Sequence, residues 1–352
     1  MNLIELIRPQ NMVAYWDDSK ANQQRYMGDW LFPHKKVVGL ELSKVSGRAG
    51  LPVQLKASAF DTQPTYRDRI GVELKKTKLP FFRERMKIDE ETRQQIMAIS
   101  NDALLANYLG RIFDDVGNLR RGAKAQRERM AMELISTGHV KIEGNGVKLD
   151  YNYGMNKNQF VKPATSWTDT ANSTPLKDLS DWVDFAQTKY NVNMGYAIMT
   201  PKTFNLIKAS ESVIKSIYPN SVNASSLFVT TQQVKDVIMA ASGLTVLINK
   251  DAYADEVGGV SKQFFPDYKI TLVPQGGVLG NMVFGTTPEE AELYINPRTR
   301  AYTSIVDTGV AIYTRLIDVP VNVETVVSQI ALPSFSADVD GGAGSIIIAN
   351  VE

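Results

Sequence analysis

The side chains best suited to acid–base or metal chemistry near neutral pH are the two histidines, His34 and His139, and they sit far apart in different segments. No HExxH spacing accompanies them. The chain has no Cys, which excludes disulfides, thiolate metal sites and thiol nucleophiles. Neither a GxxxxGK(S/T) phosphate loop nor a GxSxG serine-hydrolase turn occurs. Gly276, Gly277 and Gly280, in QGGVLGN, lack GxGxxG spacing and have no clear helix after them, so they read as a turn. The acids of Pro288-Glu289-Glu290-Ala291-Glu292 read as helix N-terminal residues rather than a catalytic pair. Residue chemistry therefore points to no enzyme, no cofactor and no metal.

Charge is the next chemistry to weigh. A basic run, Arg120, Arg121, Lys124, Arg127 and Arg129, is compatible with a solvated helix face, with acidic patches on a neighbouring subunit, or with weak contact to nucleic acid. No aromatic interleaving supports a stacking platform for single strands. Overall, 39 Lys and Arg against 38 Asp and Glu leave a formal charge of +1. That balance argues against a chain whose main task is gripping nucleic acid. Hydrophobic residues at 43% and charged residues at 22% fit a folded soluble protein, and no run of ~18 apolar residues predicts a membrane span. Met1–Ile7 carries Glu5 and does not read as a signal peptide, so the expectation is a soluble intracellular protein without membrane contact. Absence of Cys suits a reducing compartment without fixing one.

The elements that position these residues come in an unusual order. Residues 1–33 mix Tyr15, Trp16, Tyr26, Trp30 and Phe32 with polar residues, as in an arm that docks on something. Residues 35–86 read as extended and strongly basic, with strand-like Val37–Leu42 and Arg69–Lys76 and too few apolar residues for a core. From Asp89 to about Ile135 one helical stripe runs through Leu105, Leu109, Ile112, Val116 and Leu119. This predicts a long helix lying across a surface, with Gly110, Gly117 and Gly122 as its weak points. Glu143-Gly144-Asn145-Gly146 predicts a hairpin. Thr174-Pro175 and Thr200-Pro201 predict helix starts. Lys177–Tyr294 reads as an α/β unit, 301–318 and 321–330 as strands, and Ser345–Ala349 as an apolar strand behind a glycine hinge that must pair with something.

In that order the chain resembles the lambda-type (phage capsid E family) major capsid proteins of tailed bacteriophages, whose shell fold encapsulins share. Trp30-Leu31-Phe32-Pro33 with Lys35–Leu42 looks like the family's opening Phe-Pro and first strand. The basic segment to Met86 looks like its extended loop, and Asp89–Ile135 like its spine helix. Trp167–Ile217, Ile330-Ala331-Leu332-Pro333 and the last apolar strand also agree.

The resemblance implies an α+β tailed-phage capsid fold: an N-terminal arm (1–36), an extended β-hairpin loop with flanking strands (37–88), a spine helix with the first part of a peripheral domain (89–176), an α/β axial domain (177–294), return strands of the peripheral domain (295–335) and a C-terminal tail (336–352). It implies a structural protein of the virion, self-assembling as hexamers and pentamers into an icosahedral head around double-stranded DNA touched only non-specifically. An encapsulin-like compartment is the alternative. Assembly is expected in the host bacterial cytoplasm with a portal and a separate scaffolding protein, since no long N-terminal helical extension is evident; a decoration protein is conceivable. Expected inter-subunit contacts are Trp16, Trp30 and Phe32 of the arm, Arg48, Lys56, Arg67 and Arg69 of the loop, and Ile346, Ile347 and Ile348 of the tail. Lys44, Lys56 and Lys75 make a Lys–Asn cross-link conceivable, but no catalytic Glu can be matched to them.

Overall fold

The computed structural model describes residues 3–18, 25–47, 72–99, 101–220, 227–295, 301–335 and 345–352. The chain opens with α1 (Leu3–Leu6), α2 (Pro9–Asp18) and α3 (Met27–Leu31), followed by β1 (His34–Lys36). Strands β2 (Glu41–Gly47) and β3 (Val72–Lys78) pair antiparallel from Glu41↔Lys78 to Gly47↔Val72, and the residues joining them lie outside the described residues. Next come β4 (Phe81–Ile88), α4 (Glu90–Ala98) and α5 (Asp102–Thr137).

The single helix expected over 89–135 is thus two helices, and the break is not at a glycine. Asp89 accepts from the Thr92 amide to start α4, and Asn101 accepts from the amides of Ala103 and Leu104 to start α5. A polar cap beside the break satisfies amides that would otherwise be orphaned, which the glycine criterion does not register. At 36 residues, α5 spans about 54 Å at 1.5 Å per residue. Its first half buries one stripe, as the periodicity predicts. Its last turns are buried almost all round, through Met130, Ala131, Met132, Leu134, Ile135 and Ser136. That end runs through a core rather than across a surface.

Strands β5 (His139–Gly144) and β6 (Val147–Asn152) form the expected hairpin, with Asn145 and Gly146 at φ 48° and 78°; positive φ at both central residues is the type I′ requirement. The chain continues through β7 (Phe160–Val161), α6 (Pro175–Tyr190), β8 (Met194–Met199), α7 (Pro201–Ala209), α8 (Glu211–Ile217), α9 (Thr231–Ser242) and β9 (Thr245–Ile248). It closes with β10 (Ala252–Tyr253), β11 (Lys262–Gln263), β12 (Lys269–Pro274), β13 (Gly280–Phe284), α10 (Pro288–Ile295), β14 (Ala301–Val306), β15 (Val310–Ile317), β16 (Asn322–Phe335) and β17 (Ile347–Asn350).

Two sheets organise these elements. A six-stranded sheet runs β1-β13-β16-β15-β14, with β4 on the free flank of β16; a five-stranded sheet runs β7-β17-β12-β8-β9. Helices α6 to α9 pack on the five-stranded sheet around Trp167, Leu179, Phe204, Ile238 and Leu272. Between the sheets lies a second core of α3, the end of α5, β13 and β16, and a third joins α2 and the first half of α5 to β15 and β16. Segment 177–294 supplies most of the helical layer, yet its strand β13 belongs to the six-stranded sheet, and β7 and β17 enter the five-stranded sheet from outside it.

Candidate functional site

Among the described residues no group of His, Asp and Glu could hold a metal ion, and no helix is long and apolar enough to cross a membrane. His34 sits 3.0 Å from Asp29 and His139 3.2 Å from Asp150, each simply paired. An open groove of about 320 Å³ is lined by Arg83, Glu84, Arg85, Arg315, Glu324 and Val326. Its charges are matched: Glu324 takes Arg85 at 3.2 Å and Arg315 at 2.9 Å, while Arg83 reaches buried Glu289 at 2.8 Å. What the fold does assemble is a set of docking contacts along α5.

The arm makes the first set. Trp16 is 2% exposed and donates its indole N–H to the Phe113 carbonyl at 2.9 Å. The ring lies over Gly117, where a Cβ would stand 3.0 Å from Nε1; Tyr15 lies against Gly110 in the same way at 3.4 Å. Two of the three predicted weak points of the helix are therefore seats for arm aromatics: at Gly117 a side chain would crowd the indole, while at Gly110 it would stand in ordinary contact with Tyr15. Arg120 covers the outer side of Trp16 at 5.6 Å from the ring centroid.

Helix α3 docks farther along α5. The amide of Gly28 donates to Glu128 Oε2 at 2.7 Å, and a Cβ on Gly28 would collide with that carboxylate. Burial raises the Glu128 pKa to about 8; the amides of Gly28 and Met27 favour the ionised form, and Asp29 and Asp251 oppose it. Trp30 meets Tyr196 edge-on at 5.0 Å and covers Gly277, whose φ of 72° and lack of Cβ both suit the contact. Phe32 is fully buried beside Gly280. The glycine cluster is indeed a turn, and it cradles the arm. Backbone bonds complete the join: Leu279 N–H to Leu31 O at 2.8 Å and Met282 N–H to Pro33 O at 3.0 Å.

The tail behaves alike. Strand β17 pairs antiparallel with β12, from Lys269↔Asn350 to Leu272↔Ile347, and parallel with β7. Ile346 and Ile348 face the core between the sheets and Ile347 faces the helical layer, which explains three consecutive isoleucines: both faces of the strand are buried.

Expected contact residues therefore separate. Trp16, Phe32, Ile346, Ile347 and Ile348 lie at 0–3% exposure, packed in this chain's own cores. Trp30 keeps 37% of its surface exposed. Arg48, Lys56, Arg67 and Arg69 lie outside the described residues.

The basic run is mostly committed inward as well. Arg120 forks onto Asp307, Nε to Oδ2 at 2.9 Å and Nη2 to Oδ1 at 2.8 Å, with Lys124 at 3.9 Å. Burial pushes the Asp307 carboxyl up, but the Arg120 hydrogen bonds and the charges of Arg120 and Lys124 outweigh it and hold the pKa below the ordinary value. Arg127 is buried and donates to Gln329 at 2.8 Å, and Arg129 pairs with Glu133 at 2.7 Å. Only Arg121 of the run is an exposed residue. Sequence reasoning missed Glu128, Asp307 and Gln329; the one available signal was a charged pair, Arg127-Glu128, beside the apolar Met130–Ile135 stretch.

A family model for phage major capsid protein E matches residues 9–307. Among solved structures, the chain is similar to a prophage protein of E. coli CFT073 assigned as a capsid protein, at 15% identity over 98% of this chain and 99% of that one, with a TM-score of 0.58. A phage-related protein from Bordetella bronchiseptica shares 13% identity over 98% and 97% of the two chains, with a TM-score of 0.51. Identities this low speak to the fold. No curated protein matches the chain.

Proposed function

This chain belongs to the phage major capsid protein E family and builds the capsid shell of a virion from copies of itself, and we propose that it does so around double-stranded DNA as a purely structural subunit. The observation that supports the structural role is where the side-chain chemistry goes: most of the arm, the tail and most of the basic helix face pack within the subunit, and the arginines of the groove on β4, β15 and β16 are ion-paired to Glu289 and Glu324.

In this reading the axial domain is the helical layer over the five-stranded sheet and the peripheral domain is the six-stranded sheet with α5. The 37–88 excursion reaches a neighbouring subunit through Arg48, Lys56, Arg67 and Arg69. Its described base, β2 with β3, supports this, because an isolated two-stranded ribbon is marginal in water without a surface to rest on. Trp30, half-exposed at the arm's edge, is the arm residue able to share a contact with a neighbour. Hexamers and pentamers, a separate scaffolding protein, a portal and assembly in the host bacterial cytoplasm complete the proposal. Contact with DNA is non-specific and weak, given a net charge of +1.

Negative-stain electron microscopy of the chain expressed alone, and then with the candidate scaffolding protein, tests this. Uniform closed shells that depend on the scaffold are the expected result. Shells that form alone and take up protein cargo would favour an encapsulin-like compartment, and a stable soluble monomer or dimer in both preparations would overturn the shell.

A further inference from the structure

Beyond the docked arm and tail, one feature stands out from the body unmatched. Strands β10 and β11 pair at Ala252↔Gln263 and Tyr253↔Lys262 and carry the tip 254–261. Among the described residues Val257 on that tip is the most exposed large apolar side chain, at 108%, and Val260 follows Val38 and Val319 at 82%. The tip is nonetheless well built. Gly259 N–H donates to Glu256 O at 3.0 Å and Gly258 has φ 76°, so Glu256-Val257-Gly258-Gly259 is a type II turn with Val257 at its outer corner. Lys262 is ion-paired with Asp255 across the hairpin. At the root, Tyr253 stacks on Phe264 at 4.9 Å, and Phe264 meets Tyr26 of the arm at 5.4 Å.

A turn presenting two valines to water gains nothing for the isolated subunit, whereas seating them against a partner takes their apolar surface out of water. We propose that the 254–261 tip is an inter-subunit contact of the shell, inserted against a second copy of this chain. The inference rests on the shell reading, which makes a second copy the partner always at hand. Charge agrees with that occupant: Glu256 on the tip is in no ion pair among the described residues, and another copy exposes Lys87, likewise in none, on β4 beside Arg85, which shares Glu324 with Arg315. The contact would couple arm position to assembly, since the hairpin root and the arm share Phe264.

Because the chain lacks Cys, Val257→Cys introduces a sole thiol. Its maleimide labelling rate is compared in unassembled subunits and in intact shells, with shells dissolved in denaturant as the control for thiol competence. Expected are fast labelling of the free subunit and at least an order of magnitude slower labelling in shells. The companion variant, Val257→Asp with Val260→Asp, is expected to keep the free subunit's unfolding midpoint and lose shell yield. Equal labelling rates in shells and free subunits, or normal shells from the aspartate pair, overturn the inference while leaving the shell reading intact. Failure of the unmodified chain to form shells, alone or with scaffold, overturns both.

Discussion

Replacing Trp16 by Ala separates an arm that serves its own subunit from one that serves a neighbour. The indole is 2% exposed, packed on Gly117 and hydrogen-bonded to the Phe113 carbonyl. Truncating a buried Trp costs about 3–5 kcal/mol, a range that takes in the lost hydrogen bond to the Phe113 carbonyl, which the α5 backbone still serves. With a urea m-value of about 3 kcal/mol/M for a chain of this size, the unfolding midpoint of the unassembled subunit should fall by about 1–1.7 M with m unchanged. Gly117 sharpens the test. An Ala there should gain about 1 kcal/mol in helix propensity, a gain offset in the wild type by the 3.0 Å approach to Trp16. In the Trp16→Ala background the same substitution meets a cavity and should stabilise outright. The double-mutant cycle must therefore show coupling in favour of the doubly substituted chain. An unchanged subunit midpoint with weakened shells would refute the assignment of the arm to its own core.

Three further outcomes follow from the same contacts. Glu128 has a folded pKa raised to about 8 from 4.5, so its contribution to stability is fully present below about pH 4.5 and is lost as pH rises through about 8; Glu128→Gln should remove that slope, and a wild-type-minus-variant stability difference flat between about pH 5 and pH 9 would count against the buried carboxyl. Gly277→Ala should cost at least ~1–2 kcal/mol from left-handed backbone alone and push Trp30 off Tyr196, read as faster hydrogen exchange at the Leu279 amide that bonds Leu31; unchanged exchange there would contradict the cradle. Arg67→Glu with Arg69→Glu should block shell assembly while leaving the subunit's circular dichroism intact, and normal shells from that pair would remove the loop from the interface.

Much of the secondary structure was legible because its causes are local. Thr200 ahead of Pro201 does cap α7, accepting from the Thr203 amide, and Asn145-Gly146 does close a hairpin, because caps and primed turns are decided within four residues. The helical period of Leu105–Leu119 likewise followed from one repeated spacing. The same local rules misjudged where the long helix breaks: they weighed the glycines against Ala and had no term for the Trp16 and Tyr15 rings that fill the spaces those glycines leave.

By itself, then, the sequence determined the order of elements, the absence of Cys and so of thiol chemistry, the basic composition of residues 35–86 and the resemblance to a capsid subunit. Only the tertiary structure decided who receives the arm and the tail. An aromatic-rich arm and an apolar strand announce that they must be buried, because their transfer from water is favourable wherever they land. That drive is non-directional, so it cannot name the acceptor. The acceptor is named by shape and by hydrogen bonds: Gly117 and Gly277 leave room for Trp16 and Trp30, Glu128 receives the Gly28 amide, and β12 and β7 offer strand edges to β17. Each of those pairs is separated by 75 residues or more, beyond the reach of any local spacing, and it is long-range closure of the chain that brings them together.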